Sequence, residues 1–299
     1  MPHIRTRDGH DLYVRIVGRG EPCLLVHGFA SDSRSWLPFI APFAHRRRFI
    51  IPDLRGFGLS HHVPLEQGCA LTQFAEDLED VLAAYQVIQT PVVGISMGAL
   101  TTAQSFQSFG GARFSRYLHI DQAPVIFNRD GATLGLLGDG QPAFFQRLQD
   151  LLDALSDGHM HKQYDQLPRA LRAEFWAVFA QFASAAFTPK PVQALLRGAA
   201  RSETLMRRLL PVQRWQVYLN VVRAYLERDY DLRPGFRAMQ VPLTVLIGGS
   251  SAMYPPAGQR IIGELAPHAR VREIAGAGHM LPYEAPRVFM RELNTFLFT

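Results

Sequence analysis

Cysteine, lysine and long apolar runs are scarce in this 299-residue sequence. Its two cysteines, Cys23 and Cys69, are too few and too far apart for a disulfide scaffold or a zinc knuckle. No stretch approaches the ~20 consecutive apolar residues that a membrane-spanning helix requires, and residues 1–8 lack the apolar core of a secretory signal peptide. We therefore expect a cytoplasmic protein without a membrane span.

The charged residues and histidines give little sign of nucleic-acid or metal binding. The formal net charge of +5 comes from arginine, because the chain has only two lysines. Such an excess attracts anions weakly, but it lacks the alternation of basic and aromatic residues found on nucleic-acid-binding surfaces. The pairs His61–His62 and His159–His161 have no carboxylate or cysteine at ligand spacing. We expect no nucleic-acid partner, no metal and no other cofactor.

The order of apolar patterns predicts an α/β protein with one long helical insertion. Strand and helix patterns alternate as far as Asp121, which is typical of a mainly parallel sheet with helices on both faces. Only helical patterns follow between residues 122 and 238, with a break or kink expected at Pro211. Strand patterns then return at Leu243–Ile247. We predict a core made of residues 1–121 and 239–299, interrupted by a helical cap at 122–238.

One short motif, Gly94-Ile95-Ser96-Met97-Gly98, lies between an apolar strand pattern and a helix start. Glycine on both sides of a serine permits a strand-to-helix turn too tight for other side chains, and leaves the Ser96 hydroxyl exposed at a helix N-terminus. A serine hydroxyl becomes an effective nucleophile only with a base in reach and an acid to orient that base. Taken alone, the motif also fits an ordinary turn of small residues.

Four motifs follow one another along the chain: His27-Gly28-Phe29, Asp53-Leu54-Arg55-Gly56-Phe57-Gly58, the serine turn and Gly276-Ala277-Gly278-His279. With these motifs in this order, the chain resembles the α/β-hydrolase superfamily. That resemblance implies a mainly parallel, eight-stranded sheet flanked by helices, with an inserted all-helical cap. The histidine and aspartate that open the first two motifs are usually structural in this family, where they organise their loops. A serine at the turn argues against the branches that use an aspartate nucleophile.

The resemblance implies a role for each reactive group. Ser96 would be the nucleophile, and His279 would be the base that takes its proton and returns it to the leaving group. The backbone N–H groups of Phe29 and Met97 would form the oxyanion hole. His279 follows a glycine-rich turn just past a strand, so we expect it at the carboxyl edge of the sheet, where open α/β sheets place their sites.

The position of the acidic residue that would orient His279 differs from the commonest family pattern. Most members carry it after the strand equivalent to Leu243–Ile247, but the loop that follows here contains no carboxylate. A subset places the acid one strand after the nucleophile strand, where this chain has Asp121. We therefore assign Asp121 to orient His279, with a capping or cap-anchoring role as the alternative. Ser250 or Ser251 would otherwise hold the imidazole weakly, or the triad would be incomplete.

The composition of the insertion bears on the substrate. It is rich in phenylalanine, leucine and tryptophan at helical spacing, which fits packing between helices as well as a hydrophobic pocket. Between Lys190 and Arg214 it carries six basic residues against the single acid Glu203. That stretch fits a solvated helix face, and alternatively a surface that attracts an anionic group.

We predict a serine hydrolase that cleaves small hydrophobic carboxylic esters, with acyl or aryl groups, through an acyl-enzyme. Thioester and lactone hydrolysis use the same apparatus and stay open. Cofactor-free perhydrolysis is a further alternative, since Ser96-Met97-Gly98 also occurs in perhydrolase-like members. A ligand-binding receptor on a hydrolase scaffold is the rival outside enzymology. The oligomeric state is not indicated by the sequence.

Overall fold

A computed structural model describes residues 2–66, 68–156, 158–199, 201–209 and 215–299. The break or kink expected at Pro211 lies outside these ranges. The strands are β1 (His3–Arg5), β2 (Asp11–Gly18), β3 (Glu21–Val26), β4 (Arg47–Pro52), β5 (Thr90–Ile95), β6 (Phe114–Ile120), β7 (Leu243–Gly248) and β8 (Arg270–Ile274).

All eight strands form one sheet in the order β1-β2-β4-β3-β5-β6-β7-β8. Only the pairs β1–β2 and β2–β4 are antiparallel, and every other neighbouring pair is parallel. The prediction of a mainly parallel, eight-stranded sheet is confirmed. Because β5 lies between β3 and β6, the loops that follow these three strands meet at the carboxyl edge at the centre of the sheet.

Helices cover both faces of the sheet and form most of the chain between β6 and β7. Within the described ranges, none combines the length and the apolarity needed to cross a bilayer. The helices are α1 (Leu37–Ile40), α2 (Ala70–Ala84), α3 (Met97–Phe109), α4 (Gln141–Ser156), α5 (Arg169–Ala185), α6 (Lys190–Ala199), α7 (Glu203–Leu209), α8 (Trp215–Glu227), α9 (Arg233–Ala238), α10 (Pro256–Leu265), α11 (Leu281–Glu284) and α12 (Pro286–Phe298).

Several elements differ from the sequence patterns. The pattern over 35–44 predicts one helix, but the structure has α1 between two short 3₁₀ turns, with Pro38 and Pro42 near the start of successive pieces. Proline lacks the N–H that would continue the preceding turn, so each piece ends early.

Helix α10 was not predicted. Helices α4 to α9 fill the predicted insertion, while its exact limits at 122 and 238 stay a prediction.

The core lies on both faces of the sheet. Along β3, Leu24 and Val26 pack on the face that carries α2 and α3, whereas Cys23 and Leu25 pack on the face that carries α12. All four side chains are fully buried. Strands buried on both faces have continuous apolar runs instead of alternating ones, which is why these segments are recognisable in the sequence.

A buried ion cluster fixes the loop that follows β4. Arg55 is 2% exposed, and its Nε donates to Asp77 Oδ2 of α2 at 2.7 Å. Its Nη1 donates to Asp8 Oδ2 of the β1–β2 hairpin, also at 2.7 Å. The bond to Arg55 lowers the pKa of Asp8 to about 2. Because a buried charge is stable only when it is paired, Arg55 must keep these partners. The cluster therefore holds together the loop after β4, helix α2 and the β1–β2 hairpin.

Replacing Asp77 with Asn should destabilise the protein strongly. The Arg55 guanidinium would lose its fully buried partner, and such losses cost about 3–5 kcal/mol. Urea unfolding at pH 7 measures the effect. Asp80→Asn is the matched control, because Asp80 lies one turn further along α2 and pairs with the half-exposed Arg7, where ~1 kcal/mol or less is expected. Equal costs for the two variants would contradict a structural role for the cluster.

Candidate active site

Ser96 occupies the turn between β5 and α3 with an unusual backbone conformation. Its φ is 54° and its ψ is −126°, a region that costs energy for any residue with a Cβ. Two backbone hydrogen bonds hold it there: the Ser96 N–H donates to Ile120 O at 3.0 Å, and Ser96 O accepts from the Leu100 N–H at 2.9 Å. A strained serine at the carboxyl edge of the sheet is what the sequence motif predicts.

The flanking glycines are required by close backbone contacts. A Cβ added to Gly98 would lie 2.3 Å from Val26 O and 2.6 Å from His27 O. A Cβ added to Gly94 would lie 2.7 Å from Gly98 O. Because these neighbours are backbone atoms, side-chain rotation cannot relieve the clashes. The turn therefore depends on glycine at both positions.

The structure brings Ser96, His279 and Asp121 together from three distant parts of the chain. Ser96 Oγ lies 2.7 Å from His279 Nε2, and His279 Nδ1 lies 2.7 Å from Asp121 Oδ2. His279 is 4% exposed and Asp121 is fully buried. A carboxylate can only accept hydrogen bonds, so Nδ1 carries the proton and Nε2 presents its lone pair to the serine hydroxyl. This arrangement can remove the proton of Ser96.

Asp121 follows β6 directly and accepts three further hydrogen bonds. Its Oδ1 accepts from the Gly248 N–H at 2.7 Å and from Gln259 Nε2 at 3.0 Å, and its Oδ2 accepts from Ser251 Oγ at 2.7 Å. The loop after β7, which lacks a carboxylate, thus supplies one of these donors, Ser251. In the sequence interpretation, Ser250 or Ser251 was the alternative partner of the imidazole. No sequence motif pointed to Gln259.

Of the two residues expected to supply the oxyanion hole, Met97 follows Ser96 in the chain and Phe29 belongs to the loop after β3. Met97 is the first residue of α3, where N–H groups have no partner within the helix. Phe29 follows Gly28, whose added Cβ would lie 3.3 Å from Ser96 Cβ. The loop after β3 therefore lies against the serine, and an anion at this point would meet the positive end of α3.

His27 and Asp53 bind backbone groups in the segments that follow β3 and β4, each contacting its own segment and the other one. The buried His27 ring lies with Nδ1 2.8 Å from the carbonyl of the next residue, and its Nε2 accepts from the Leu54 N–H at 3.0 Å. Burial lowers the pKa of His27. The Asp53 carboxylate accepts from the N–H groups of Ser33 and Leu59, each at 2.7 Å. Both residues hold the loops that border the site, in line with the structural role expected for them.

A cavity of about 230 Å³ opens beside Ser96 and His279. Most of its lining is apolar, and the histidine and two tyrosines are its only ionisable side chains among the described residues. Some aromatic residues of the insertion line the cavity, whereas others, such as Phe144 and Trp176, pack in the core. The insertion contributes Phe179, Phe182, Ala183, Ala186, Phe187 and Tyr218.

The other candidates from the sequence do not join this site. His61 Nδ1 contacts Gly58 O at 2.9 Å, and His159 Nδ1 contacts Lys162 Nζ at 2.9 Å. No group of three or more histidine, cysteine, aspartate or glutamate side chains in the described ranges could hold a metal ion. In the basic stretch, Arg207 pairs with Asp165 at 3.1 Å, while residues 210–214 lie outside those ranges.

Comparison with known proteins matches residues 21–286 to the model of the alpha/beta hydrolase fold. A non-heme chloroperoxidase of Kitasatospora aureofaciens is 24% identical over 305 residues, covering 99% of each chain. Among solved structures, the esterase RhEst1 from a Rhodococcus species has a TM-score of 0.71 at 24% identity, covering 99% of this chain and 98% of that one. The enol-lactonase of Burkholderia xenovorans has a TM-score of 0.73 at 18% identity, with full coverage of both.

A methyl group at Gly98 should disrupt the turn that presents Ser96. Because the added carbon meets two backbone oxygens, we expect Gly98→Ala to cost about 1–3 kcal/mol of unfolding free energy, measured by urea unfolding. Gly198→Ala is the matched control: Gly198 lies in α6 with nothing within 4 Å of an added Cβ. It should be neutral or stabilise by up to ~1 kcal/mol. A Gly98 variant as stable as the control would contradict the steric account.

Proposed function

The chain belongs to the alpha/beta hydrolase family, and we propose that it is a serine hydrolase of uncharged carboxylic esters with a hydrophobic acyl or aryl group. The observation that carries the proposal is the continuous hydrogen-bonded relay from Ser96 through His279 to Asp121 beside an apolar cavity. A relay of this kind activates a serine hydroxyl for attack on a carbonyl carbon.

The proposed reaction has two halves. Ser96 Oγ attacks the acyl carbon while His279 Nε2 takes its proton, and the N–H groups of Phe29 and Met97 stabilise the tetrahedral oxyanion. The intermediate collapses to an acyl-enzyme, and His279 returns the proton to the departing alcohol. Water then attacks the acyl carbon, with His279 as base, and releases the acid and free Ser96. Asp121 keeps the ring oriented and stabilises its cationic form throughout.

The cavity supports an uncharged substrate of modest size. Its lining offers no lysine, arginine, aspartate or glutamate among the described residues to pair with a charged acyl group. Ligand pockets commonly enclose roughly 300–1,000 Å³, so about 230 Å³ favours short acyl chains or a single ring. We further propose that residues 122–238 act as a cap, since Phe179, Phe182 and Tyr218 wall this cavity.

Perhydrolysis is the second candidate, favoured by the similarity to a non-heme chloroperoxidase. In that reaction hydrogen peroxide takes the place of water, attacks the acyl-enzyme and leaves as a peracid, so Ser96 and His279 keep their roles. Thioesters and lactones would enter the same path, since each offers an acyl carbon to the serine. A binding protein without turnover is the alternative in which the relay is present but unused.

We expect hydrolysis of p-nitrophenyl esters to be fastest for short acyl chains and to depend on the relay. Ser96→Ala should lower kcat about 10⁶-fold, and Asp121→Asn about 10⁴-fold, because the amide favours the wrong tautomer of His279. Ser251→Ala, the control, removes a donor to Asp121 and spares the relay, so kcat should stay within about tenfold. If Asp121→Asn left the enzyme as active as the wild type, Asp121 would be excluded as the orienting acid.

A serine-directed phosphonate should separate the enzyme from the binding protein. We expect one equivalent to attach to Ser96, detected by mass spectrometry of the intact chain and its peptides, because the activated Oγ attacks phosphorus as it attacks a carbonyl. The Ser96→Ala variant should stay unlabelled. If the wild type also stays unlabelled, the receptor alternative is favoured. In a parallel reaction, peracid formed from an ester and hydrogen peroxide would reveal perhydrolysis.

A further inference from the structure

Glu284 forms hydrogen bonds to two different segments beside the active site. It is the last residue of α11, five residues after His279. Its Oε2 accepts from the Gly278 N–H at 2.7 Å, directly before the histidine. Its Oε1 accepts from the Thr188 N–H at 2.8 Å, in the segment that joins α5 to α6. One carboxylate therefore connects the histidine loop to the helical insertion.

Other contacts join the same two segments. The Met280 N–H, on the far side of His279, donates to Ala186 O at 3.1 Å. A Cβ added to Gly278 would lie 2.1 Å from Thr188 Oγ1, so the Thr188 side chain lies directly against Gly278. Both neighbours of His279 in the chain thus lie against residues 186–188. The same segment lines the substrate cavity through Ala186 and Phe187.

Only a carboxylate can satisfy both donors. Each oxygen of Glu284 accepts one N–H, whereas a glutamine would direct its NH₂ group at one of the two N–H donors. Losing one bond frees either the histidine loop or the segment at Thr188. A shift of His279 by a fraction of an ångström weakens its contact with Ser96, and reactions in active sites are sensitive to displacements of this size.

We propose that Glu284 is a positioning residue that couples the segment 186–188 to the histidine loop, so that His279 is aligned only while the insertion is seated over the cavity. For its effect on turnover, this inference rests on the proposed function. Glu284 does not line the cavity. It acts through the backbone N–H groups of Gly278 and Thr188. Because one carboxylate accepts both hydrogen bonds, loss of either bond weakens the other.

A double-mutant cycle tests this coupling in ester hydrolysis. Glu284→Gln removes one acceptor, and Thr188→Pro removes one donor at a site where the following Pro189 already restricts the backbone to extended conformations. We expect each variant to lower kcat by about tenfold to a hundredfold, with a smaller change in KM. The double variant should be no slower than the slower single variant, since residues in one hydrogen-bond network do not contribute independently.

Two controls isolate the hydrogen bonds. Thr188→Ala keeps the backbone N–H and removes only side-chain atoms, the hydroxyl and the γ-methyl group. Glu264→Gln makes the same chemical change as Glu284→Gln, at an exposed position of α10. Both should retain wild-type kcat. Multiplicative losses in the double variant, or single variants with wild-type kcat, would overturn the coupling.

Hydrogen exchange read by mass spectrometry gives a measurement independent of turnover. In Thr188→Pro, the peptide covering 276–280 should exchange faster, although the change lies in another segment. Glu284→Gln should speed exchange in both segments, and it serves alone if the proline variant does not fold. Unchanged exchange at 276–280 in both variants would overturn the inference. Coupled exchange in a protein that hydrolyses no ester would support the inference and reject the proposed function.

Discussion

The buried carboxylate of Asp121 is the constraint on which the site depends. A charge in a fully buried position is unstable unless hydrogen bonds or an opposite charge compensate it. In the described part of the chain, no lysine or arginine forms an ion pair with Asp121, and four donors surround it instead. Those donors are a backbone N–H, an amide, a hydroxyl and the imidazole. Each of the four donors offsets part of the cost of burying the carboxylate.

That requirement links the site to the topology of the sheet. Asp121 directly follows β6, whereas the four residues that donate to it all come after the helical insertion in the chain: Gly248, Ser251, Gln259 and His279. They reach the carboxylate because β7 pairs directly with β6, with Ile120 opposite Leu246. The insertion of α4 to α9 therefore leaves and re-enters the sheet at adjacent strands. A long insertion is compatible with the site because its two ends are fixed side by side.

The sequence predicted what local sterics determine. Gly94 and Gly98 marked the turn because backbone atoms exclude a side chain there, and the apolar runs marked strands that are buried on both faces. Asp121 was assigned as the acid because the loop after β7 has no carboxylate. The partners Gln259 and Glu284 could not be predicted, since each is an ordinary polar residue of a helix that gains its role only from contacts with distant segments. The apolar pattern over 35–44 predicted one helix because it ignored Pro38 and Pro42, which interrupt the helix there.

The spacing of the aromatic residues in the insertion could not show which of them pack between helices and which line the cavity, because some do both. Phe29, whose backbone N–H we propose as an oxyanion donor, packs its ring against Phe179, Phe182 and Tyr218 at centroid distances of 5.9, 5.5 and 5.3 Å. Each such pair contributes about 0.5–1.5 kcal/mol beyond simple burial. The rings that wall the cavity therefore also fix the loop that carries the donor. In the proposed reaction, the fit of the substrate and the placement of the oxyanion donor would depend on one set of aromatic contacts.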